Sequence, residues 1–265
     1  MRTKALINVL MVAGLSLGLV ACGHQSTAAA GPFTVIHMIS QAGQREDLLL
    51  PQGPVKGLVV FTHGYAGSQD QILQFSALFP LRDALVEAGY AIAASNAHGN
   101  NFGNPTSIAD QVNLIHDADS RLPGVTPIDI VGFSMGGLDA LMLASDHKAP
   151  NLHAVVLLSP VCDQIAYLGS YFGGSIRAAF GHAKGSAPPV MATSDPEHQD
   201  PQSFTGPRYW FWMSPDDTTV PPSQTGNMVA FLKSAGVDAR YSPLSGNHGN
   251  LSQLSTSAVV SWLNG

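Results

Sequence analysis

The chain of 265 residues is 45% hydrophobic and only 11% charged, a composition that suits a domain with buried parallel strands. This length favours one large domain, which buries enough apolar surface to fold without disulfides or metal ions. The formal net charge is −6, and Lys and Arg form no cluster beyond the extreme N-terminus. Because nucleic-acid binding requires a basic face, the sequence argues against nucleic acid as a partner.

The N-terminus has the features of a processing signal. Two basic residues in Met1–Lys4 precede an apolar stretch over residues 5–20, which is short for a membrane span. The Leu-Val-Ala-Cys sequence that ends at Cys22 resembles a bacterial lipobox, in which the cysteine becomes the lipidated first mature residue. We therefore expect a lipoprotein signal peptide (1–21), a flexible tether (22–32) and export to the bacterial cell envelope with an acyl anchor in a membrane. The alternative is an ordinary signal peptide cut nearby, with Cys22 incidental.

Eight segments of the domain expected over residues 33–265 have the composition of strands. Each is a run of β-branched, aromatic or other apolar residues bounded by turn residues. A polar, glycine-containing segment separates the first two, which favours an antiparallel pair. In chain order these strands are residues 33–39, 47–51, 55–62, 90–95, the run that begins at Ile128, and residues 152–158, 208–213 and 237–243.

Apolar residues at helical spacing predict helices between these strands. Pro80 breaks the first helical region, and Gly89 closes its second part. Thr106 or Ser107 is expected to cap the helix after the Gly- and Asn-rich loop 96–105, which is either an array of turns or a substrate-contacting loop. The other helices are expected over residues 138–144, 223–235 and 251–263, with a short one near 175–180.

Strands that alternate with helices predict an α/β fold, with a mostly parallel sheet of about eight strands and helices on both faces. Ligands of such sheets bind beyond the carboxyl ends of the strands. That edge gathers Tyr65, the loop 96–105, Ser134, Ser159 and the loop after Met213.

A G-x-S-x-G pattern centred on Ser134 lies between a predicted strand and a predicted helix. This strand, tight turn and helix form the context in which such a serine is a nucleophile. Gly132 and Gly136 lack a Cβ atom, so the strand and the helix can approach closely on either side. The pattern predicts a catalytic Ser134, and the alternative is a Gly/Ser-rich turn without chemistry.

A serine hydroxyl needs a base within hydrogen-bond reach, and the base needs a group that orients it. His248 follows the last predicted strand directly and is the best-placed base, with His182 and His198 as alternatives. The carboxylate is expected between the serine and the histidine, where Asp216 and Asp217 follow a Trp-rich strand. Adjacent side chains point in different directions, so at most one of the two aspartates reaches the base.

From residue 55 to residue 263 the chain resembles the α/β-hydrolase family. Members often show an aspartate, two residues and then Val-Pro after this strand, and Asp217-Thr-Thr-Val-Pro221 matches that spacing whereas Asp216 does not. The resemblance therefore implies Asp217 as the acid. Ser134, Asp217 and His248 also occur in the family's chain order.

The resemblance extends to the oxyanion hole and to a cap. His63-Gly64-Tyr65 resembles the family's oxyanion-hole motif and implies the backbone N–H groups of Tyr65 and Met135 as donors. His63 would then brace this loop. Residues 160–207 stand where the family inserts caps, so we expect a cap-like excursion there. Its aromatic residues would line a substrate pocket or pack a short lid; they are Tyr167, Tyr171, Phe172 and Phe180.

Neither a metal nor a cofactor is indicated. The chain has no H-E-x-x-H pattern, no Cys/His cluster with zinc spacing and no P-loop lysine. Its only cysteines are Cys22 and Cys162, so acylation of Cys22 would leave the mature domain without a disulfide.

These features together predict a serine hydrolase that acts through an acyl-enzyme. Carboxylic esters are the expected substrates, because the resemblance implies the family's commonest substrate class. The expected partner is a small-molecule or lipid ester, and a monomer is expected. The alternatives are a peptidase or amidase, an acyltransferase with the same triad, and a catalytically silent binding lipoprotein.

Overall fold

The structure, a computed structural model, describes residues 27–29, 31–181 and 188–265. The predicted signal peptide and the proposed anchor Cys22 lie outside the described residues. Within the described ranges, no helix is both long enough and apolar enough to cross a membrane.

One sheet of nine strands runs through the described part of the chain. The strands are β1 (Thr27–Ala29), β2 (Phe33–Ile39), β3 (Arg45–Pro51), β4 (Gly57–Thr62), β5 (Tyr90–Ser95), β6 (Ile128–Phe133), β7 (Leu152–Leu158), β8 (Arg208–Met213) and β9 (Ala239–Pro243). Their order is β1-β2-β3-β5-β4-β6-β7-β8-β9. The pairs β1-β2, β2-β3 and β3-β5 are antiparallel, and the pairs β5-β4, β4-β6, β6-β7, β7-β8 and β8-β9 are parallel. The mostly parallel sheet with antiparallel opening strands is confirmed.

The ninth strand is the short β1, which lies within the segment interpreted as a tether. Thr27 is opposite Ile36 in the register, and Ala29 is opposite Thr34. The small residues of this segment carry no strand signal of their own. Pairing with the edge of β2 supplies the backbone hydrogen bonds that define the strand.

The described ranges contain eight α-helices. They are α1 (Gln71–Gln74), α2 (Phe79–Glu87), α3 (Pro105–Arg121), α4 (Gly136–Ser145), α5 (Gly173–Ala179), α6 (Pro189–Ala192), α7 (Pro222–Ser234) and α8 (Thr256–Asn264). The predicted break at Pro80 is a short 3₁₀ turn, Ser76–Leu78, between α1 and α2. Gly89 follows α2 with a φ of +94°, which suits a residue without a Cβ atom.

Two helix starts differ from the prediction. Asn104, and not Thr106 or Ser107, caps α3, because its side chain accepts a hydrogen bond from the Ser107 N–H at 2.8 Å. Pro105 then occupies the first helical position, where a missing N–H costs nothing.

The last helix begins later than predicted, at Thr256 instead of near Leu251. The chain first makes a turn in which the Leu254 N–H donates to the Leu251 carbonyl at 2.9 Å. Ser255 then caps α8 with its hydroxyl, which accepts from the Ala258 N–H.

The core lies on both faces of the sheet. Successive side chains of β4 alternate, with Leu58 and Val60 on one face and Val59 and Phe61 on the other, all at most 1% exposed. Helices α3, α4 and α7 cover the first face, and α2 and α8 cover the second. Because both faces are covered, the parallel strands consist of nearly continuous apolar runs.

The described parts of the predicted cap, residues 160–181 and 188–207, pack at the carboxyl edge of the strands through a third apolar cluster. This cluster joins Tyr167, Ile176 and Phe180 of the cap to Met135 and Met213 beside the rim loops. The short helix expected near 175–180 is α5. Other short elements of the cap are α6 and the 3₁₀ turns Ala166–Gly169, Pro196–His198 and Pro201–Phe204.

Candidate functional site

The turn at Ser134 joins the carboxyl end of β6 to α4 under close steric constraint. A Cβ atom added at Gly132 would lie 2.9 Å from the Gly136 carbonyl oxygen, and one at Gly136 would overlap the Thr62 carbonyl. Ser134 itself has a φ of +53°, a left-handed conformation that costs a non-glycine residue about 1–3 kcal/mol. The glycines therefore permit the close approach of strand and helix, and the strained residue between them is the serine.

The Ser134 side chain is joined to two other side chains by consecutive hydrogen bonds. Its Oγ lies 2.8 Å from Nε2 of His248. Nδ1 of the same imidazole lies 2.7 Å from Oδ2 of Asp217. Ser134 is 8% exposed, and the Asp217 side chain is fully buried. The serine, histidine and aspartate singled out in the sequence thus meet at one rim, although they follow three different strands.

The loop after β8 holds Asp217 in the buried site and leaves Asp216 exposed to solvent. Oδ1 of Asp217 accepts hydrogen bonds from the N–H groups of Thr219 at 2.8 Å and Val220 at 2.9 Å. These amides leave Oδ2 as the oxygen that faces the imidazole. Asp216 is exposed and does not contact the histidine. The structure therefore places Asp217, and not Asp216, beside the imidazole of His248.

The two alternative histidines differ from His248 in their surroundings. Nδ1 of His198 lies 3.4 Å from the buried Asp195 in the cap. His182 lies outside the described residues. Among the histidines that the structure describes, His248 is the one hydrogen-bonded to Ser134.

The loop after β4 passes directly over the serine turn. A Cβ atom added at Gly64 would lie 2.9 Å from the Phe133 ring and 3.3 Å from Cβ of Ser134. The next residue is Tyr65, whose N–H has no hydrogen-bond partner within the described ranges, and the same holds for the N–H of Met135. Two free amide donors thus flank Ser134, which is what a developing oxyanion requires.

His63 contacts only backbone oxygens on this side of the site. Its Nδ1 lies 2.9 Å from the Gly64 carbonyl oxygen, and its Nε2 lies 3.0 Å from that of Asn96. A neutral imidazole has a single N–H group, so it donates to one of these two carbonyl oxygens, and either hydrogen bond holds the ring against the backbone of the rim loops. This geometry suits the bracing role implied for His63.

Three polar side chains that carry no functional signal in the sequence hold the loops around Ser134 and His248; they are Gln71, Asn100 and Asn247. Oε1 of Gln71 accepts from the Gly64 N–H at 2.7 Å, and Oδ1 of Asn100 accepts from the Ala66 N–H at 2.7 Å. Asn100 belongs to the loop 96–105, so this loop is hydrogen-bonded to the loop after β4.

Asn247 connects the loop that carries Asp217 to the loop that carries His248. Its Oδ1 accepts from the N–H of His248 at 2.8 Å, and from the N–H and hydroxyl of Thr218 at 3.2 and 3.0 Å. The only sequence signal for this residue is its position immediately before the base.

A buried carboxyl group lies behind the site in α4. Burial raises the pKa of Asp139 to about 6, against the opposing effects of a hydrogen bond from Ser107 and the nearby His63. The Ser107 hydroxyl donates to Asp139 at 2.7 Å. This contact links α3 to the helix that follows the serine.

In the ranges that the structure describes, no group of three or more His, Cys, Asp or Glu side chains could hold a metal ion. Cys162 is buried, and burial raises the pKa of its thiol well above the usual value, so it is a poor nucleophile.

Comparison with known proteins gives a family and a set of related folds. The sequence profile described as the alpha/beta hydrolase family matches residues 59–253. No curated protein matches the chain closely enough to count as a relative.

Several solved structures share the architecture. A fluorophosphonate-binding serine hydrolase of Staphylococcus aureus, with bound substrate, superposes with a TM-score of 0.70 and 15% identity, covering 89% of this chain and all of its own. An esterase of Pyrococcus furiosus gives a TM-score of 0.62 and 14% identity, covering 91% of this chain and 97% of its own. An acylaminoacyl peptidase of Pyrococcus horikoshii gives 0.69 and 11% identity, covering 88% of this chain and 41% of its own. At these identities the likeness shows the fold.

Proposed function

Because the chain belongs to the alpha/beta hydrolase family, we propose that it hydrolyses carboxylic esters, with Ser134 as nucleophile, His248 as base and Asp217 as the orienting acid. The observation that carries the proposal is the chain of two hydrogen bonds, 2.8 and 2.7 Å long, that joins these side chains. It begins at a strained turn whose serine is aimed at the carboxyl edge of the sheet, where ligands of such folds bind.

In the acylation step, Oγ of Ser134 attacks the ester carbonyl carbon while Nε2 of His248 removes the hydroxyl proton. Asp217 holds the proton of the histidine at Nδ1, so that Nε2 is free to act as the base. The two backbone N–H donors to Oδ1 keep the carboxylate in this orientation. The imidazolium then gives its proton to the departing alkoxide, and an alcohol leaves.

The negative charge on the carbonyl oxygen develops against the N–H groups of Tyr65 and Met135. Both amides lack a partner among the residues described, so no bond has to be broken before they bind the oxyanion. In the second step His248 removes a proton from water, and the water oxygen attacks the acyl carbon of the acyl-enzyme. The bond from this carbon to Oγ of Ser134 then breaks, Oγ takes the proton back from His248, and the carboxylic acid leaves.

An ester is proposed as the substrate because the chain belongs to the alpha/beta hydrolase family. An esterase and a serine hydrolase share this fold, and so does a peptidase, which keeps a peptidase as the second candidate. Parallel assays of p-nitrophenyl acyl esters and acyl-peptide p-nitroanilides separate the two. Ester turnover that disappears in Ser134→Ala supports the proposal, whereas faster turnover of the anilides would replace it with the peptidase.

An acyltransferase would use the same triad with an alcohol in place of water. Adding a primary alcohol to the ester assay tests this: a hydrolase releases free acid in proportion to total turnover, whereas a transferase releases mainly the new ester. A catalytically silent binding lipoprotein would show no turnover in any of these assays.

We also propose that the protein is attached to a membrane of the bacterial envelope through an acylated Cys22. The lipobox-like sequence before Cys22 supports this proposal. Metabolic labelling with palmitate in a bacterial host tests it. Label that is present in the wild type and absent from Cys22→Ala supports the anchor, and equal labelling of the two proteins would exclude it.

A further inference from the structure

Tyr167 of the cap is hydrogen-bonded to the loop that carries Asp217. It lies in the 3₁₀ turn Ala166–Gly169, is 5% exposed, and stacks on Phe172 with a ring-centre distance of 5.5 Å. Its hydroxyl donates to the carbonyl oxygen of Thr219. Packing of the ring requires no hydroxyl, so the hydrogen bond needs its own explanation.

The carbonyl group that Tyr167 contacts belongs to the same peptide group as the N–H of Val220. That N–H donates to Oδ1 of Asp217 at 2.9 Å. A continuous set of hydrogen bonds therefore runs from the cap hydroxyl, through the Thr219–Val220 peptide group, to the carboxylate. We call this set the peptide relay. Beyond the carboxylate it continues to His248 and Ser134.

Two physical effects make such a relay matter. A donor at the carbonyl oxygen fixes the plane of the peptide group, and so fixes the direction of the N–H at its other end. The same donor polarises the peptide group, and hydrogen bonds in a chain strengthen one another by about 10–30%. Both effects act on Asp217 from outside its own loop, because Tyr167 lies about 50 residues earlier in the sequence.

The Tyr167 hydroxyl remains a hydrogen-bond donor because it keeps its proton. Burial, together with the charge of Asp217, raises the pKa of Tyr167 to about 12. The proton therefore stays on the hydroxyl throughout the neutral pH range.

We propose that Tyr167 is a positioning residue for the triad: through the peptide relay, its hydroxyl keeps the Val220 N–H directed at Asp217. The inference rests on the proposed function and adds to it that the cap is part of the catalytic apparatus, and more than a cover over the substrate. Removing the hydroxyl then impairs the chemical step without weakening substrate binding.

Tyr167→Phe removes the hydroxyl and keeps the ring on Phe172. Tyr209→Phe is the matched control, since Tyr209 is also buried and also donates to a backbone carbonyl, that of Phe204, at 3.1 Å. We expect kcat for ester hydrolysis to fall about fivefold in Tyr167→Phe, the effect of one lost neutral hydrogen bond, with KM within about twofold of the wild type. Tyr209→Phe should lower Tm by about as much as Tyr167→Phe does, and it should leave kcat unchanged.

Equal kcat values in the two variants would overturn the proposal, because the Tyr167 hydroxyl would then be purely structural. A raised KM with unchanged kcat would also overturn it and assign Tyr167 to substrate binding. Incorporating 3-fluorotyrosine at position 167 keeps the donor and the shape, so kcat should remain at the wild-type level. A fall as large as that of Tyr167→Phe would refute the role of the donor, even if the Phe variant folds poorly.

A second readout does not depend on turnover. The proton on Nδ1 of His248, shared with Asp217, gives a downfield NMR resonance that is identified by its loss in His248→Ala. This resonance should shift in Tyr167→Phe and remain in place in Tyr209→Phe. An unshifted resonance in Tyr167→Phe refutes the relay. If the resonance shifts in Tyr167→Phe as expected but the wild type hydrolyses no ester, the proposed function alone is refuted.

Discussion

Replacing Asp217 by Asn alters one atom of a carboxylate that has an assigned partner on each oxygen. Oδ1 accepts two backbone N–H groups, from Thr219 and Val220, and Oδ2 faces Nδ1 of His248. An amide NH₂ turned toward the backbone would place donor against donor at 2.8–2.9 Å. The variant therefore turns its NH₂ toward the histidine.

That orientation forces the wrong tautomer. The NH₂ group donates to Nδ1 of His248, so the imidazole proton moves to Nε2, the atom that lies 2.8 Å from Oγ of Ser134. A protonated Nε2 cannot accept the serine proton. We expect a fall in kcat of about 10⁴, equivalent to about 5 kcal/mol of transition-state stabilisation.

The assay is steady-state hydrolysis of a p-nitrophenyl ester at pH 7.5, with circular dichroism to confirm that the variants fold. Asp216→Asn is the matched control, because Asp216 is exposed and does not contact His248. It should stay within about twofold of the wild type. Losses of similar size in the two variants, or a loss below about tenfold in Asp217→Asn, would refute the reasoning.

Two further predictions concern stability. Burial and the neighbouring Asp117 raise the pKa of Glu46 to about 8, so the folded protein holds a proton that the unfolded chain has lost above about pH 4.5. The free energy of unfolding should therefore fall as the pH rises from 5 to 8, and Glu46→Gln should flatten this dependence in urea titrations; an unchanged slope would contradict it. Gly136→Ala places a Cβ atom on the Thr62 carbonyl and should destabilise the fold by about 3 kcal/mol. Gly174→Ala is the control, because open space surrounds Gly174, and it should leave the stability unchanged. Similar Tm values for the two variants would disprove the steric argument.

The sequence predicted those parts of the fold that depend on local patterns. Nearly continuous apolar runs such as Leu152–Leu158 identify the buried parallel strands, because both faces of the sheet are covered. The two glycines around Ser134 identify the tight turn, because only residues without a Cβ atom fit there. The structure brings Ser134, Asp217 and His248 together as the order of the strands implied.

Other features depend on contacts between distant residues and leave no local signal. Asn104 caps α3 one residue before Pro105, although Thr106 and Ser107 have equally suitable side chains. The short elements of the cap contain few apolar residues at regular spacing and are held by contacts with the rim.

The role of single polar side chains is also set by distant partners. Gln71 and Asn247 bind backbone groups in other loops, and their sequence neighbourhoods do not distinguish them from solvated residues. Tyr167 is recognisable as an aromatic residue of the cap, but its hydrogen bond to Thr219 spans 52 positions. Such contacts can be inferred only when the loops are placed in three dimensions.

The most direct test of the central claim is reaction with a fluorophosphonate, which modifies only an activated serine. The probe should form one adduct per chain, located at Ser134 by mass spectrometry. Labelling should vanish in Ser134→Ala and in His248→Ala and persist in Ser120→Ala, a change at an exposed serine of α3. A well-folded wild type that takes up no probe, or an adduct that survives in Ser134→Ala, would contradict the assignment of Ser134 as the nucleophile.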